Sequence, residues 1–90
     1  MSTVRIPPTL RTATGGEKRV EVSGDTVRDV VSALVVAHPG LEAQLLGQDG
    51  DLNSFVNAFL NDTDIRHLQG LETPVTERDT LSLLPAMAGG

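Results

Sequence analysis

One stretch of this chain constrains everything around it. From Val27 onward, apolar residues stand at Val27, Val30, Val31, Leu34 and Val35, with Ala33 and Ala37 between them, the spacing of one face of an α-helix. Thr26 is a good N-cap, and Asp29 three residues on approximates a capping box and complements the helix dipole. The helix stops before Pro39-Gly40, because a residue preceding proline avoids the right-handed helical region. Valine lowers helix propensity by only tenths of a kcal/mol per residue, so the buried stripe decides. A single helix with one apolar face needs a sheet to lie on.

The flanking segments supply it. Val4 and Ile6 alternate with Thr3 and Arg5 in a first strand over Thr3–Pro7, and Pro8 stops pairing there. Thr14-Gly15-Gly16-Glu17 reads as a turn and Lys18–Ser23 as a second strand with Val20 and Val22 on one face, the two strands forming a hairpin. After the helix, Leu41–Leu46 has the spacing for one more helical turn, and Gly47–Asp51 is loop. Phe55–Leu60 is the strongest strand, Asn61–Asp64 a tight turn, and Ile65–Leu68 a short edge strand. Gln69-Gly70 turns again, and Leu71 and Val75 tuck under the core. Thr80–Leu84 is a last strand with Leu81 and Leu83 facing inward, ended by Pro85. The expected fold is α+β: a mixed four- to five-stranded sheet packed on one main helix. A single domain spans residues 1–85, followed by a flexible tail over 86–90 that ends in Gly-Gly.

Composition then removes whole classes of function. Ninety residues make one domain with no room for a deep cleft between lobes. The absence of cysteine excludes disulfides, thiolate metal sites and cysteine nucleophiles. A net charge of −5 argues against nucleic-acid binding, which needs a basic face; it is compatible with a partner that presents basic residues, but for most of these side chains the better reading is that the charge keeps a small protein in solution. No apolar run is long enough to span a membrane, and Met1–Arg11 has no leader-like stretch, so a cytoplasmic protein is expected. His38 and His67 have no partners at metal spacing, and Asp49, Asp51, Asp62 and Asp64 read as turn formers rather than ligands. The serines have no triad context, and Gly15-Gly16 is not followed by a phosphate-loop Gly-Lys-Ser/Thr. Nothing here reads as an active site of the chain's own.

The element order and a set of short motifs do carry a resemblance. Val56-Asn57, Asn61-Asp62, Asp64-Ile65-Arg66, Gly70-Leu71, Asp79-Thr80-Leu81 and Leu84-Pro85-Ala86-Met87-Ala88-Gly89-Gly90 resemble the β-grasp, ubiquitin-like sulfur carriers of the ThiS/MoaD family. The likeness is strongest to the CysO-type carriers of cysteine biosynthesis, and it covers nearly the whole chain. Arg78 stands where the family usually has Gly, a change a type I turn accommodates.

The resemblance implies a carrier rather than an enzyme. Gly90, with Gly89 before it, would be adenylated at its carboxylate by an E1-like adenylyltransferase/sulfurtransferase using ATP, and then loaded with sulfur as a thiocarboxylate. A pyridoxal-phosphate cysteine synthase would take the sulfur, and a metalloprotease would release cysteine; no cofactor would stay on the carrier. The alternatives within the resemblance are a molybdopterin synthase small subunit, a thiazole or natural-product sulfur carrier, or a ubiquitin-like protein modifier. The residue types suit the task. Glycine without a Cβ threads a narrow channel and takes backbone angles closed to other residues. Pro85 marks and stiffens the base of the tail, and five residues beyond it reach at most ~17 Å at roughly 3.3–3.6 Å each. Ala86, Met87 and Ala88 complete the tail. If Val56, Ala58 and Leu60 meet the helix, Phe55 and Phe59 lie on the open sheet face with Leu84, an apolar docking patch for the activating enzyme. The competing readings are that loops cover the Phe rings, or that the strand register is inverted.

Overall fold

The computed structural model describes residues 1–47, 52–53 and 56–85. Five strands, β1 (Ser2–Arg5), β2 (Arg19–Val22), β3 (Val56–Leu60), β4 (Thr63–Asp64) and β5 (Thr80–Pro85), form one sheet in the order β2-β1-β5-β3-β4. β1 and β5 run parallel at its centre, and the other neighbours are antiparallel. Helix α1 (Val27–Ala37) covers one face, and a short α2 (Glu42–Leu45) follows a 3₁₀ turn over Pro39–Leu41. This is the expected α+β β-grasp arrangement, with all five strands present.

The core is where the two periodicities meet. Val27, Val30, Val31 and Leu34 of α1 pack on Val4, Ala58, Leu60, Leu81 and Leu83 of the sheet, all buried. The inward phase of β3 is therefore Val56, Ala58 and Leu60, and the register is not inverted. Thr26 caps α1, its hydroxyl accepting from the Asp29 backbone N–H at 3.2 Å. Gly24 leads into the helix where a Cβ would lie 2.7 Å from the Val30 nitrogen; no larger residue fits without moving α1 off β2. Leu71 and Val75 pack beneath the core as expected.

Three expectations shift. The β1–β2 hairpin is not closed by a tight turn: Pro8–Thr14 forms a 3₁₀ helix with Leu10 buried, and Gly15 and Gly16 end it at φ 69° and 90°. Pro8 has no N–H for the ladder but is well suited to a first helical turn. The edge strand is Thr63–Asp64 rather than Ile65–Leu68. Asp64 caps the segment that follows, accepting from the Arg66 backbone N–H at 2.9 Å, so Ile65–His67 turns as 3₁₀ and His67 lies in that turn. The tight turn narrows accordingly to Asn61-Asp62. Finally, Pro85 is the last residue of β5, opposite Val56, rather than the residue after it. Most of the predicted loop Gly47–Asp51, Ser54, Phe55 and the tail over 86–90 lie outside the described residues.

Candidate functional site

Where the last described strand ends follows from the topology. β5 lies between β1 and β3, so the chain departs from the middle of the sheet and not from an edge. Alternation along β5 buries Leu81 and Leu83 and turns Ser82 and Leu84 to the open face, where Leu84 stands opposite Asn57 with 45% of its surface exposed. Pro85, the last residue of β5, is exposed.

Of the predicted site residues, Leu84 and Phe59 come together on the open face, lining one shallow depression of about 550 Å³. Phe59 is half-buried, neither covered over nor fully open. Pro85 contributes to a separate groove with Pro7, Leu10, Ala43 and Val56. Phe55, Ala86, Met87, Ala88, Gly89 and Gly90 lie outside the described residues.

Two polar clusters hold the strand ends that set this geometry. Asn61 has a left-handed backbone (φ 58°) at the β3–β4 turn. Its backbone N–H donates to the Thr80 carbonyl (2.7 Å), its side-chain oxygen accepts from the Thr80 N–H (3.1 Å), and its amide donates to Asp79 (3.1 Å). The Asp79 carboxylate also accepts from the Thr76 N–H at 2.8 Å. That backbone bond first, and the Asn61 amide second, hold the Asp79 carboxyl below its ordinary range. At the sheet edge, Arg66 pairs with Asp64 at 2.7 Å. The Arg66 guanidinium, followed by its backbone N–H, brings the Asp64 carboxyl down to about 2. Asn61, Asp64, Arg66, Asp79 and Thr80 belong to the motifs that carried the family resemblance, and here they act as clamps on β3, β4 and β5. Asp64 is buried, Asp79 and Thr80 are half-buried, and Asn61 and Arg66 are exposed.

Sequence reasoning missed the charge of the open face. Arg5, Arg11, Lys18 and Arg19 line the same depression as Phe59 and Leu84, with Asp62 the one acidic residue among its lining. The net negative charge gave no hint of a basic patch, and around Leu84 the surface is basic. The signal was present: Arg5 and Arg19 occupy the polar phase beside Val4 and Val20, so pairing β1 with β2 puts both on the outer face. Among the described residues no three His, Cys, Asp or Glu gather as a metal site, and no helix is long and apolar enough to cross a membrane.

Comparison with known proteins adds the family. The model of the ThiS family matches residues 4–90. The sulfur carrier protein CysO of Mycobacterium tuberculosis is 43% identical over 90 residues, covering 98% of this chain and 97% of that protein. Small archaeal modifier protein 1 of Haloferax volcanii is 40% identical over 73 residues, 80% of this chain and 79% of that one. Among solved structures, the Amycolatopsis orientalis BexX/CysO complex contains a chain that superposes with a TM-score of 0.90 at 46% identity, covering 100% of both chains.

Proposed function

The chain belongs to the ThiS family, and we propose that it is a CysO-like sulfur carrier that bears sulfur as a thiocarboxylate on Gly90. The observation that carries this reading is the 43% identity with a CysO carrier along nearly the whole of both chains. The position of β5 supports it, since the last described strand lies at the centre of the sheet, beside an open face on which a partner can sit.

The chemistry asks little of the carrier. A carboxylate resists nucleophiles because it is negatively charged and oxide is a poor leaving group. An E1-like adenylyltransferase would join the Gly90 carboxylate to AMP from ATP, releasing pyrophosphate. A sulfur nucleophile would then attack the acyl carbon, expel AMP and leave –C(=O)S⁻. The nucleotide site and the catalysis belong to that enzyme; the domain contributes recognition, Pro85 a stiff base, and Gly89 and Gly90 a terminus without side chains. A pyridoxal-phosphate cysteine synthase is the proposed acceptor, with a metalloprotease releasing the product from the carrier.

Intact-mass analysis after incubation with the activating enzyme, ATP and sulfide tests the reading. The expected product has one oxygen of Gly90 replaced by sulfur; an unmodified mass after complete ATP turnover would refute it. A second reading, a ubiquitin-like modifier, is favoured by the likeness to the Haloferax modifier protein. It predicts Gly90 joined to lysine amines of other proteins, with AMP again the leaving group. Deleting Gly90 abolishes the product in either case.

A further inference from the structure

The open sheet face carries a charge distribution opposite to that of the chain. Four of its seven Lys and Arg residues line the depression around Phe59 and Leu84, together with one of its twelve Asp and Glu residues, while the whole chain is −5. The register sharpens this. Arg19, Arg5, Ser82 and Phe59 stand opposite one another across β2, β1, β5 and β3, forming one row on the outer face. Like charges directly opposite on an antiparallel pair are destabilising, so the Arg5–Arg19 pair costs the fold something. Neither arginine, nor Lys18, forms an ion pair with a described residue; the three pairs found are Met1–Glu77, Arg28–Glu72 and Arg66–Asp64. Glu21 faces the same side two positions along β2, but pairs with Thr3 and lies outside the depression.

Cations clustered around a small apolar centre suit an anionic occupant. Nucleic acid fits poorly: the one aromatic ring of the depression is half-buried, leaving no stacking platform, and the remaining surface repels phosphate. A protein surface with carboxylates around an apolar contact fits both halves of the patch. We propose that the partner receiving the tail presents Asp or Glu side chains to Arg5 and Arg19 while an apolar contact covers Phe59 and Leu84. This rests on the reading of the chain as a carrier activated at Gly90. The charge separation also orients the approach. An otherwise acidic chain is turned so that this face, and the strand that leads into the tail, meets the acidic partner first.

Arg19→Glu is the decisive variant, because it converts the repulsive pair with Arg5 into an attractive one and so leaves folding secure. With the activating enzyme and ATP, adenylation kinetics are measured from low to high salt, alongside the melting temperature. The expected result is a KM for the carrier raised about 10-fold or more at low salt, with kcat within about twofold of the parent and an unchanged or higher Tm. The parent's KM should rise with salt and the variant's hardly at all, and reversing an acidic residue on the enzyme to Lys should restore the variant. A KM indifferent to both salt and Arg19→Glu overturns the inference while leaving the carrier reading in place. So does Arg19-dependent binding of duplex DNA with KM unmoved. Absence of adenylation at every salt concentration overturns the carrier reading, and this inference with it.

Discussion

At Asn61 a left-handed backbone and a side chain bonded to both Asp79 and Thr80 meet in one residue. Replacing it with alanine removes both side-chain bonds and leaves a Cβ residue in an unfavourable conformation. The expected loss is about 1–3 kcal/mol in urea unfolding. Asn61→Gly should recover the backbone part alone, and equal losses for the two would show that φ does not matter there. Gly24 is a steric rather than a conformational requirement. Its missing Cβ would meet the backbone of Asp29 and Val30, so Gly24→Ala is expected to cost about 1–3 kcal/mol by the same measurement. Leu84 differs in kind, being exposed and away from the core. Leu84→Asp should leave Tm within a few degrees and weaken activation, read as a raised KM; an unchanged adenylation rate would remove Leu84 from the docking surface.

At the scale of elements, α1 was readable because its apolar spacing, its cap and its stop all agree. Thr26→Ala tests the cap and should lower stability by about 1 kcal/mol. The inward phase of β5 was readable from its alternation, but β3 is apolar on both faces, so its phase stayed open in the sequence and only the structure turns Val56, Ala58 and Leu60 to the helix. The β4 edge was not readable either. Ile65–Leu68 looks apolar enough for a strand, but Asp64 prefers to cap the backbone of Arg66, and that side-chain bond diverts the chain into a 3₁₀ turn. The Asp64–Arg66 pair also has a pH signature. Its carboxyl sits near 2 against an ordinary 3.8, so its stabilisation is full above pH 3.8 and vanishes as pH falls through about 2. Asp64→Asn should therefore be less stable than the parent at neutral pH, and the gap should close between pH 4 and pH 2. A gap constant across that window would mean the pair contributes nothing through charge.

For the whole molecule, the important relations are those between elements distant in sequence. Arg5 and Arg19 each look like an ordinary solvated charge in a strand; only the β1–β2 register places them side by side, and only the β1–β5 and β3–β5 pairings bring Phe59 and Leu84 to them. Net charge averages that asymmetry away, which is why composition gave no sign of the basic patch. The terminal motif, by contrast, was legible as a string of residue types because its proposed chemistry lies in the main chain and needs no pairing to assemble. That chemistry is best tested on carrier recovered from cells that also make its activating enzyme, by fragmenting the C-terminal peptide in a mass spectrometer. The account predicts sulfur in place of oxygen at the carboxyl of Gly90. A terminus found exclusively as a free carboxylate, or joined to lysine, under conditions where sulfur is being assimilated would contradict it.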